Sequence, residues 1–387
     1  MNRIFAILLT LYSAVPSLAY EEISVDFYSE TVKLQFDNSL LTVQLAEVDE
    51  PELRRYFREM STMNYNPLLA NLQRVKRRMR LNDWLFYQLI QKTLQEAMPE
   101  RPERDRVLLS WFLISRSGYD TRLAYTGEEV FLYVYTQDDI YEAPMIQDGR
   151  RNFINLTRIR QGREAQRALY LLGLQPNPSG HSFSFMLQEL PLLKPELTEV
   201  ELRYLYKGEW AGLTVTADAT IKAYMDEYPV LSESQYLKIP FSPYLSKSLL
   251  PHMKAQLADK NEWQSTEFIA AFTRSAFEYK EDKEHFGCSK PMVAEEVFLY
   301  PYSDCEDRTA LFYNLVSELL SLPMILIAYP DHLTMGVALP QSSGSSVRYK
   351  DNNYYICDPT GPIGSHEIGR VPQGYEQAAF KVIAHFP

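Results

Sequence analysis

The chain has 387 residues, of which 46% are hydrophobic and 13% aromatic. This is enough to bury more than one core, and it excludes a disordered protein. The formal net charge of −11 argues against a nucleic-acid partner bound through its phosphates, because such partners need a positive surface. The one basic cluster, residues 74–80, is interpreted as the solvated face of a helix.

The N-terminus has the pattern of a secretory signal peptide. Arg3 precedes an apolar run from Ile4 to Leu11, and small residues at 17–19 precede an acidic stretch. We therefore expect residues 1–19 to be removed and the protein to be exported, to the periplasm or the medium. No stretch approaches the roughly 20 apolar residues needed to cross a bilayer, so no transmembrane segment is expected.

Hydrophobic periodicity predicts an alternation of strands and helices along the chain. Strands are expected at 23–27 and 41–45, helices between 51 and 98 and from Glu103 to Ser115, and strands at 121–125, 130–134 and 151–155. A short helix is expected within 162–177. Strands at 182–186, 200–206 and 213–217 predict a small antiparallel β module, possibly a sandwich, and residues 249–279 are predicted to be helical.

A cysteine lies where a buried helix is predicted to begin. Asp304 is a good N-cap for this helix, and Glu306 and Asp307 place acids in its first turn. The free N–H groups of a helix start favour the thiolate of Cys305, but these acids oppose it. A reactive Cys305 would therefore need a nearby base.

The following residues supply a base and a carboxylate. His332 lies at the start of one predicted strand, and Asp358 ends the next, directly before Pro359. Cysteine, histidine and aspartate in this order are typical of nucleophilic catalysis, in which His332 takes the thiol proton and Asp358 orients the imidazolium. The alternatives are an inert helix-start cysteine and an ordinary turn aspartate, and His366 is the one rival base.

The oxyanion of an acyl-transfer reaction would be bound by the backbone N–H of Cys305 and a second donor from the preceding loop, for which Tyr302 is the candidate. The long aromatic connection at 281–302 is expected to pack beside Cys305 and to form a wall of the substrate cleft.

Residues 304–308, His332 with its following strand, and residues 355–360 resemble the transglutaminase-like superfamily. The resemblance covers Leu249 to the C-terminus. It implies an α+β, papain-like domain with a Cys-His-Asp triad on a helix followed by an antiparallel sheet. It also implies a cysteine hydrolase or peptidase that cleaves peptide or isopeptide bonds in a protein or peptide substrate through a thioester. A true protein cross-linking transglutaminase is the alternative within this superfamily. No cofactor is implied, and no metal site is expected.

An internal repeat is predicted about 200 residues apart. The segment from Glu103 to Ser115 resembles the helix that begins at Cys305, with Glu103 in the place of Cys305, and the strands after the two helices correspond. The first copy has no cysteine and no histidine, since His181 is the first histidine of the chain. We interpret it as a catalytically dead copy; the alternative is a chance likeness of two helix-and-strand units. The recurrence of an Asp-Arg pair in both copies predicts a structural ion pair.

The predicted architecture is α+β, with a signal peptide at 1–19 and a degenerate transglutaminase-like domain at 20–175. A β-rich module at 176–245 and a catalytic transglutaminase-like domain at 246–387 follow. A non-catalytic binding or scaffold protein of the cell envelope is the alternative function. Cys288 and Cys357 are either a disulfide pair or two small buried residues.

Overall fold

The structure is a computed structural model that describes residues 20–160, 169–340, 343–363 and 365–387. The predicted signal peptide, residues 1–19, lies outside these ranges. So do residues 162–168 of the segment in which a short helix is predicted. Within the described ranges, no helix is both long enough and apolar enough to cross a membrane. The fold mixes helices with antiparallel sheets and is α+β, as predicted.

The first half of the chain is a hairpin, four helices and a five-stranded sheet. Its elements are β1 (Tyr20–Phe27), β2 (Glu30–Asp37), α1 (Glu50–Thr62), α2 (Asn66–Arg78), α3 (Asp83–Ala97), α4 (Glu103–Arg116), β3 (Thr121–Tyr125), β4 (Val130–Tyr135), β5 (Met145–Asp148), β6 (Arg151–Asn155) and β7 (Tyr170–Leu171). The strand predicted at 41–45 is wrong. A 3-10 turn, Asn38–Leu41, ends at the first residue of this range. It forms because the Asp37 side chain accepts the Ser39 N–H and starts a turn, and residues 43–45 have no regular secondary structure.

The second half has the same kind of order. Its elements are β8 (Leu197–Tyr206), β9 (Glu209–Asp218), α5 (Ala219–Met225), α6 (Glu233–Tyr236), α7 (Pro243–Leu257), α8 (Glu262–Ser275), β10 (Glu278–Tyr279), α9 (Asp282–His285), β11 (Tyr302–Ser303), α10 (Cys305–Leu320), β12 (Met324–Ala328), β13 (Leu333–Ala338), β14 (Ser346–Tyr349), β15 (Asn352–Cys357) and β16 (Lys381–Phe386).

The two five-stranded sheets have the same strand order. The first runs β5-β6-β4-β3-β7 and the second β14-β15-β13-β12-β16. The hairpins are also placed alike, because β1 and β2 pack on α3 and α2 while β8 and β9 pack on α8 and α7. In each half one further helix, α4 or α10, packs on the middle strand of the sheet, β4 or β13. The chain therefore contains the same arrangement twice.

The hairpin β8–β9 belongs to the second arrangement, which changes the description of residues 176–245. This fully described segment was predicted to be a separate β module, but its strands are only β8 and β9, and it also holds the helices α5 and α6. The predicted strand at 182–186 has no regular secondary structure. Its Phe183 N–H instead donates to the carbonyl of Tyr135 at the end of β4, 2.7 Å away.

The register of the strands matches between the sheets. Tyr125 pairs with Val130 in the first sheet, and Ala328 pairs with Leu333 in the second. The carbonyl of Glu129, the residue before β4, accepts the N–H of Thr126 at 2.9 Å and closes the turn between β3 and β4. In the second sheet, the carbonyl of His332 accepts the N–H of Tyr329 at 2.8 Å and closes the equivalent turn. His332 is thus held at the entrance of a buried strand by its own backbone.

Both faces of the second sheet are buried. Met324 and Leu326 of β12 face the main core, and Ile325 and Ile327 face a second cluster with Tyr354. This two-sided burial explains why β12 is a continuous apolar run and does not alternate with polar residues. It also fixes the strands that carry the candidate site residues.

Candidate functional site

The first turn of α10 is closed by a capping box. The Asp304 side chain accepts the N–H groups of Glu306 and Asp307 at 3.1 and 3.4 Å, and the Asp307 side chain accepts the N–H of Asp304 at 3.1 Å. Asp307 also accepts the Met292 N–H at 2.8 Å. Cys305 is therefore the first residue of a well-anchored buried helix, as its sequence predicts.

His332 and Asp358 meet at one end of the second sheet. Nε2 of His332 lies 3.1 Å from Oδ1 of Asp358, and the Thr360 hydroxyl donates to the same oxygen at 2.8 Å. Burial raises the pKa of the Asp358 carboxyl, but the hydrogen bonds and charge of His332 and the hydrogen bonds from Thr360 bring the pKa below its usual value. Asp358 is accordingly ionised and paired with the imidazole at neutral pH.

A cleft of about 240 Å³ opens over this pair; we call it the His332 cleft. It is lined by Tyr279, His332, Asp358, Thr360, Gly361, Pro362, Pro372, Gln373 and Tyr375. The ring of Tyr375 stacks on the imidazole of His332 with centroids 5.2 Å apart, and its hydroxyl donates to Asp331 at 2.7 Å. The stacked ring holds the imidazole in one plane.

Cys305 lies beside the backbone of Leu333 but is not hydrogen-bonded to His332 or Asp358. Its thiol donates to the carboxylate of Glu306 at 3.2 Å, and the sulfur also meets the backbone N–H of Leu333, the residue after His332. No hydrogen bond joins Cys305 to His332 among the described residues, and Cys305 is not one of the residues that line the His332 cleft.

The electrostatic environment of Cys305 opposes the thiolate. Burial raises the pKa of the Cys305 thiol far above its ordinary value, and the negative charges of Glu306 and Asp304 raise it further. The N–H of Leu333 acts in the opposite direction. The sequence-based expectation that the first-turn acids work against a thiolate therefore agrees with these contacts.

Arg274 of α8 anchors the backbone of Asp358. Its guanidinium donates to the Asp358 carbonyl at 2.5 and 2.8 Å, and to the carbonyls of Ser365 and Glu367, each at 3.1 Å. Arg274 is 3% exposed. One side chain therefore fixes both ends of the loop that closes the cleft.

Tyr302 lies apart from the His332 cleft. Its ring contacts His285 with centroids 5.0 Å apart, and Lys280 lies over its face. Its neighbour across the β10–β11 pair is Glu278, whereas Tyr279, which does line the cleft, pairs with Ser303. The predicted role of Tyr302 as an oxyanion donor thus has no contact that supports it.

The connection at 281–302 has a different role from the predicted cleft wall. Of its residues, none lines the His332 cleft. It instead brings acids into the interior: Asp282, Glu295 and Glu296 are 8%, 1% and 1% exposed. Sequence analysis missed these acids, because a charged residue in a loop normally indicates a solvated surface.

The predicted ion pair between Asp307 and Arg308 is wrong. The Arg308 guanidinium donates to Ser303 and to the carbonyls of Phe277 and Arg274. In the first half, Arg106 likewise donates to the carbonyls of Arg101 and Met98. Both arginines thus donate to backbone carbonyls of residues that precede their helix in the chain. The recurrence of the Asp-Arg sequence in the two halves therefore has a structural cause other than charge pairing.

A second cavity, of about 440 Å³, lies at the equivalent place in the first half. It is lined by Pro102, Glu103, Arg104, Val107, Glu128, Glu129, Val130, Phe131, Thr157 and Arg158. Glu103 begins α4 as Cys305 begins α10. The strand registers place Glu129 at the position of His332 and Thr157 at the position of Asp358.

The three cysteines are all free, and each lies in the described part of the chain. Cys288 is exposed, whereas Cys357 is buried and its thiol donates to the carbonyl of Tyr355 at 3.3 Å. The alternative of a Cys288–Cys357 disulfide is therefore wrong. His366, the rival base, packs against Tyr206 and is not among the residues that line the His332 cleft.

Comparisons with protein-family models, with curated proteins and with solved structures find no match to this chain.

Proposed function

We propose that the protein is an exported cysteine acyl-transfer enzyme with a transglutaminase-like catalytic half, and that it hydrolyses peptide or isopeptide bonds. The observation that carries the proposal is the hydrogen bond between His332 and Asp358, placed inside a cleft and one residue away from the backbone N–H that meets the sulfur of Cys305. A base oriented by a carboxylate beside a cysteine at a helix start is the arrangement that thioester chemistry uses.

The proposed reaction begins with transfer of the Cys305 thiol proton to Nδ1 of His332, since Nε2 is engaged by Asp358. The thiolate attacks the amide carbonyl, and the carbonyl oxygen becomes an oxyanion near the N–H of Cys305, which the Asp304 cap leaves free. The C–N bond then breaks, and the imidazolium gives its proton to the departing amine. Water, deprotonated by His332, cleaves the thioester, which releases a carboxylic acid and restores the thiol. An amine in place of water would give transamidation, so the triad serves both outcomes.

The first half is proposed to be a degenerate copy of the catalytic half. The shared strand order and the equivalent cavities support a common origin. Glu103, Glu129 and Thr157 at the positions of the triad supply neither a thiol nor an imidazole, so this half lacks the groups that the proposed thioester chemistry uses. The first half would therefore contribute to packing or substrate capture and not to bond cleavage.

A non-catalytic binding protein on this fold is the second candidate. It is favoured by the state of Cys305, whose thiol is buried, donates to Glu306 and has its pKa raised by burial and by neighbouring acids. For the enzyme to act, the sulfur must turn from Glu306 toward His332, a side-chain rotation that the enzyme makes with or without substrate. The two candidates thus differ in one measurable property, the reactivity of this thiol.

Site-resolved alkylation separates the candidates. Iodoacetamide is added near pH 7, and adducts at Cys305 and Cys288 are followed by mass spectrometry. The exposed Cys288 is an internal control, because His332→Ala should leave its rate unchanged. If the protein is an enzyme, iodoacetamide is expected to alkylate Cys305 in the wild type but not in His332→Ala. A Cys305 that stays unreactive while Cys288 reacts would reject the enzyme and favour the binding protein.

A further inference from the structure

Four arginines lie at the surface around the end of α2. Arg74, Arg77 and Arg78 are spaced as i, i+3 and i+4, which places them on one helix face, and Arg80 lies just beyond the end of the helix. All four are exposed, and solvent reaches 61% of the Arg78 side chain and 54% of the Arg80 side chain. We call these four residues the basic surface.

The acids around the basic surface neutralise only part of its charge. Two of its members pair with Glu189, at 2.8 Å, and with Glu30, at 4.0 Å. Arg74 bonds the uncharged side chain of Asn71. The Arg77 side chain has neither an ion pair nor a hydrogen bond in the described part of the chain. The basic surface therefore keeps an excess of positive charge, in a chain whose net charge is −11.

Folding of the helix does not explain the basic surface. In the repeated arrangement, α2 packs on β2 as α7 packs on β9. Basic residues stabilise the last turn of a helix, and the last turn of α2 has three of them, whereas that of α7 has only Lys254. Since α7 packs in the same way without a basic cluster, the cluster on α2 points to a partner outside the chain.

The basic surface borders a cavity of about 500 Å³. Lys76, Arg77 and Arg80 line this cavity together with Asp83 and Glu189. Asp83 holds Lys76 at 2.5 Å, whereas the pair of Arg80 and Glu189 is exposed on both sides and contributes little to stability. The guanidinium groups of Arg77 and Arg80 are thus available to a phosphate group, whose oxygens match the planar fork of an arginine.

An exposed leucine adjoins the basic surface. The N–H of Leu192 donates to the carbonyl of Met79, the residue between Arg78 and Arg80, at 2.8 Å. Leu192 is 52% exposed. Apolar side chains beside cationic ones are typical of surfaces that rest on a bilayer, where the cations meet the headgroups and the apolar side chains enter the acyl boundary.

We propose that the basic surface, together with Leu192, docks the protein on an anionic phospholipid bilayer. A bilayer meets one face of the protein, so acids on the other faces lie beyond the screening length of about 8 Å at physiological salt and repel it little. A nucleic acid would need a longer basic stripe, which the net charge of −11 opposes. Docking at this surface does not depend on any activity of Cys305.

The test is cosedimentation of the purified protein with vesicles of phosphatidylcholine, with and without phosphatidylglycerol. Binding is expected only to the vesicles with phosphatidylglycerol, and it should weaken as NaCl is raised. The double variant Arg77→Glu/Arg78→Glu should lose at least tenfold in affinity. Lys247→Glu/Lys254→Glu is the matched control, because it makes the same change in net charge on exposed positions of α7 and should keep the affinity.

The leucine is tested separately. Leu192→Ser should weaken binding to the phosphatidylglycerol vesicles severalfold, whereas Ile383→Ser, at a residue that is 40% exposed on β16, should not. If the double glutamate variant does not fold, Arg74→Gln/Arg77→Gln removes the charge of the two arginines without an acidic partner. It is expected to weaken binding severalfold.

Four outcomes would overturn the proposal. They are equal binding to both kinds of vesicle, equal losses in the α2 and α7 double variants, unchanged affinity in Arg74→Gln/Arg77→Gln, and unchanged affinity in Leu192→Ser. A duplex DNA oligonucleotide serves as a second probe. If it binds the wild type more tightly than the vesicles do and is lost in Arg77→Glu/Arg78→Glu, the surface would belong to a nucleic acid and the bilayer proposal would be wrong.

Discussion

Nε2 of His332 and Oδ1 of Asp358 lie 3.1 Å apart, although the two residues are 26 positions apart in the chain. The contact arises because β13 and β15 are neighbours in the sheet, so the residue before one strand meets the residue after the other. It leaves Nδ1 of the imidazole for a second partner, and it defines which changes at the site should matter.

Asp358→Asn should slow the alkylation of Cys305. Asparagine still accepts a hydrogen bond from the imidazole, but it carries no charge to stabilise the imidazolium, so a loss of about 100-fold is expected. The rate is measured by mass spectrometry at Cys305. Asp351→Asn serves as the matched control, because Asp351 is exposed in the turn between β14 and β15. Equal losses in both variants would contradict a specific role for Asp358.

Glu306→Gln should speed the alkylation of Cys305. Burial is the largest cause of the raised thiol pKa, and Glu306 is the largest charge acting on it, so removal of this charge should lower the pKa. At a fixed pH below that pKa, the thiolate fraction and the rate should rise by about tenfold, since one pKa unit is a factor of ten. The rate is measured by mass spectrometry at Cys305, with the exposed Glu284→Gln as the control. A rate that is unchanged or lower would contradict this account of the thiol.

The stability of the protein should fall as the pH rises from about 4.5 to about 7. Burial raises the pKa of Glu295 to about 7, although its carboxylate accepts hydrogen bonds from Asp218 and Ser242. Between the unfolded and the folded pKa, the unfolded chain loses its proton while the folded chain keeps it. Unfolding then becomes easier by roughly 3 kcal/mol in total, and no further change from this group follows above about pH 7.

Glu295→Gln tests this pH dependence. The variant should be less stable at every pH, because its amide nitrogen cannot accept the Ser242 N–H, but its stability should change less between pH 4.5 and 8. Urea unfolding at several pH values measures both effects. A pH dependence as steep as that of the wild type would show that other groups are responsible.

Gly336→Ala should destabilise the second sheet. A Cβ at this position of β13 would lie 2.8 Å from Cγ1 of Ile325 and 3.0 Å from Cβ of Tyr354, and both neighbours are buried. A loss of about 1–3 kcal/mol in the free energy of unfolding is expected from this overpacking. Gly127→Ala is the control, because a Cβ there would meet nothing within 4 Å. Urea unfolding of both variants gives the comparison, and equal effects would contradict the packing argument.

Arg274→Lys should loosen the loop after Asp358. Lysine has three donors on a point charge and cannot reproduce the planar set of bonds to the carbonyls of Asp358, Ser365 and Glu367. We expect a loss of about 1–3 kcal/mol in stability and faster proteolysis after residue 358. Arg370→Lys is the control, since the Arg370 side chain is 75% exposed. Proteolysis at the wild-type rate would show that the guanidinium is not required.

The start of α10 could be predicted because its signals are local. Asp304, the acids behind it and the apolar spacing of the following residues act within a single turn, and α10 begins at Cys305 as expected. The strands before Asp358 and after His332 were also predictable, because their apolar runs match a buried sheet. The same local rules failed at 182–186, where alternation occurs without a neighbouring strand to pair with.

The contacts between distant segments could not be predicted. Tyr279 and Tyr375 enter the His332 cleft from segments almost 100 residues apart, and tyrosines are too frequent in this chain to be singled out. The hydrogen bond from the Cys305 thiol to Glu306 could have been anticipated, because the two residues are neighbours in the sequence. Whether the thiol bonds Glu306 or His332 depends on side-chain orientation, which the sequence does not give. Burial of Asp282 likewise follows from the path of a loop and not from its composition.

The hydrogen bonds from Arg274 to the carbonyl of Asp358 have one further consequence. The backbone of Asp358 is held from α8, and its carboxylate is held by Thr360 and His332, so the residue is restrained from both sides. Its rotational freedom is already lost when the chain folds, and no reorganisation of this carboxylate is needed when a molecule enters the cleft. Pre-organisation of this carboxylate thus comes from the fold, and in the proposed mechanism only the sulfur has to change its rotamer.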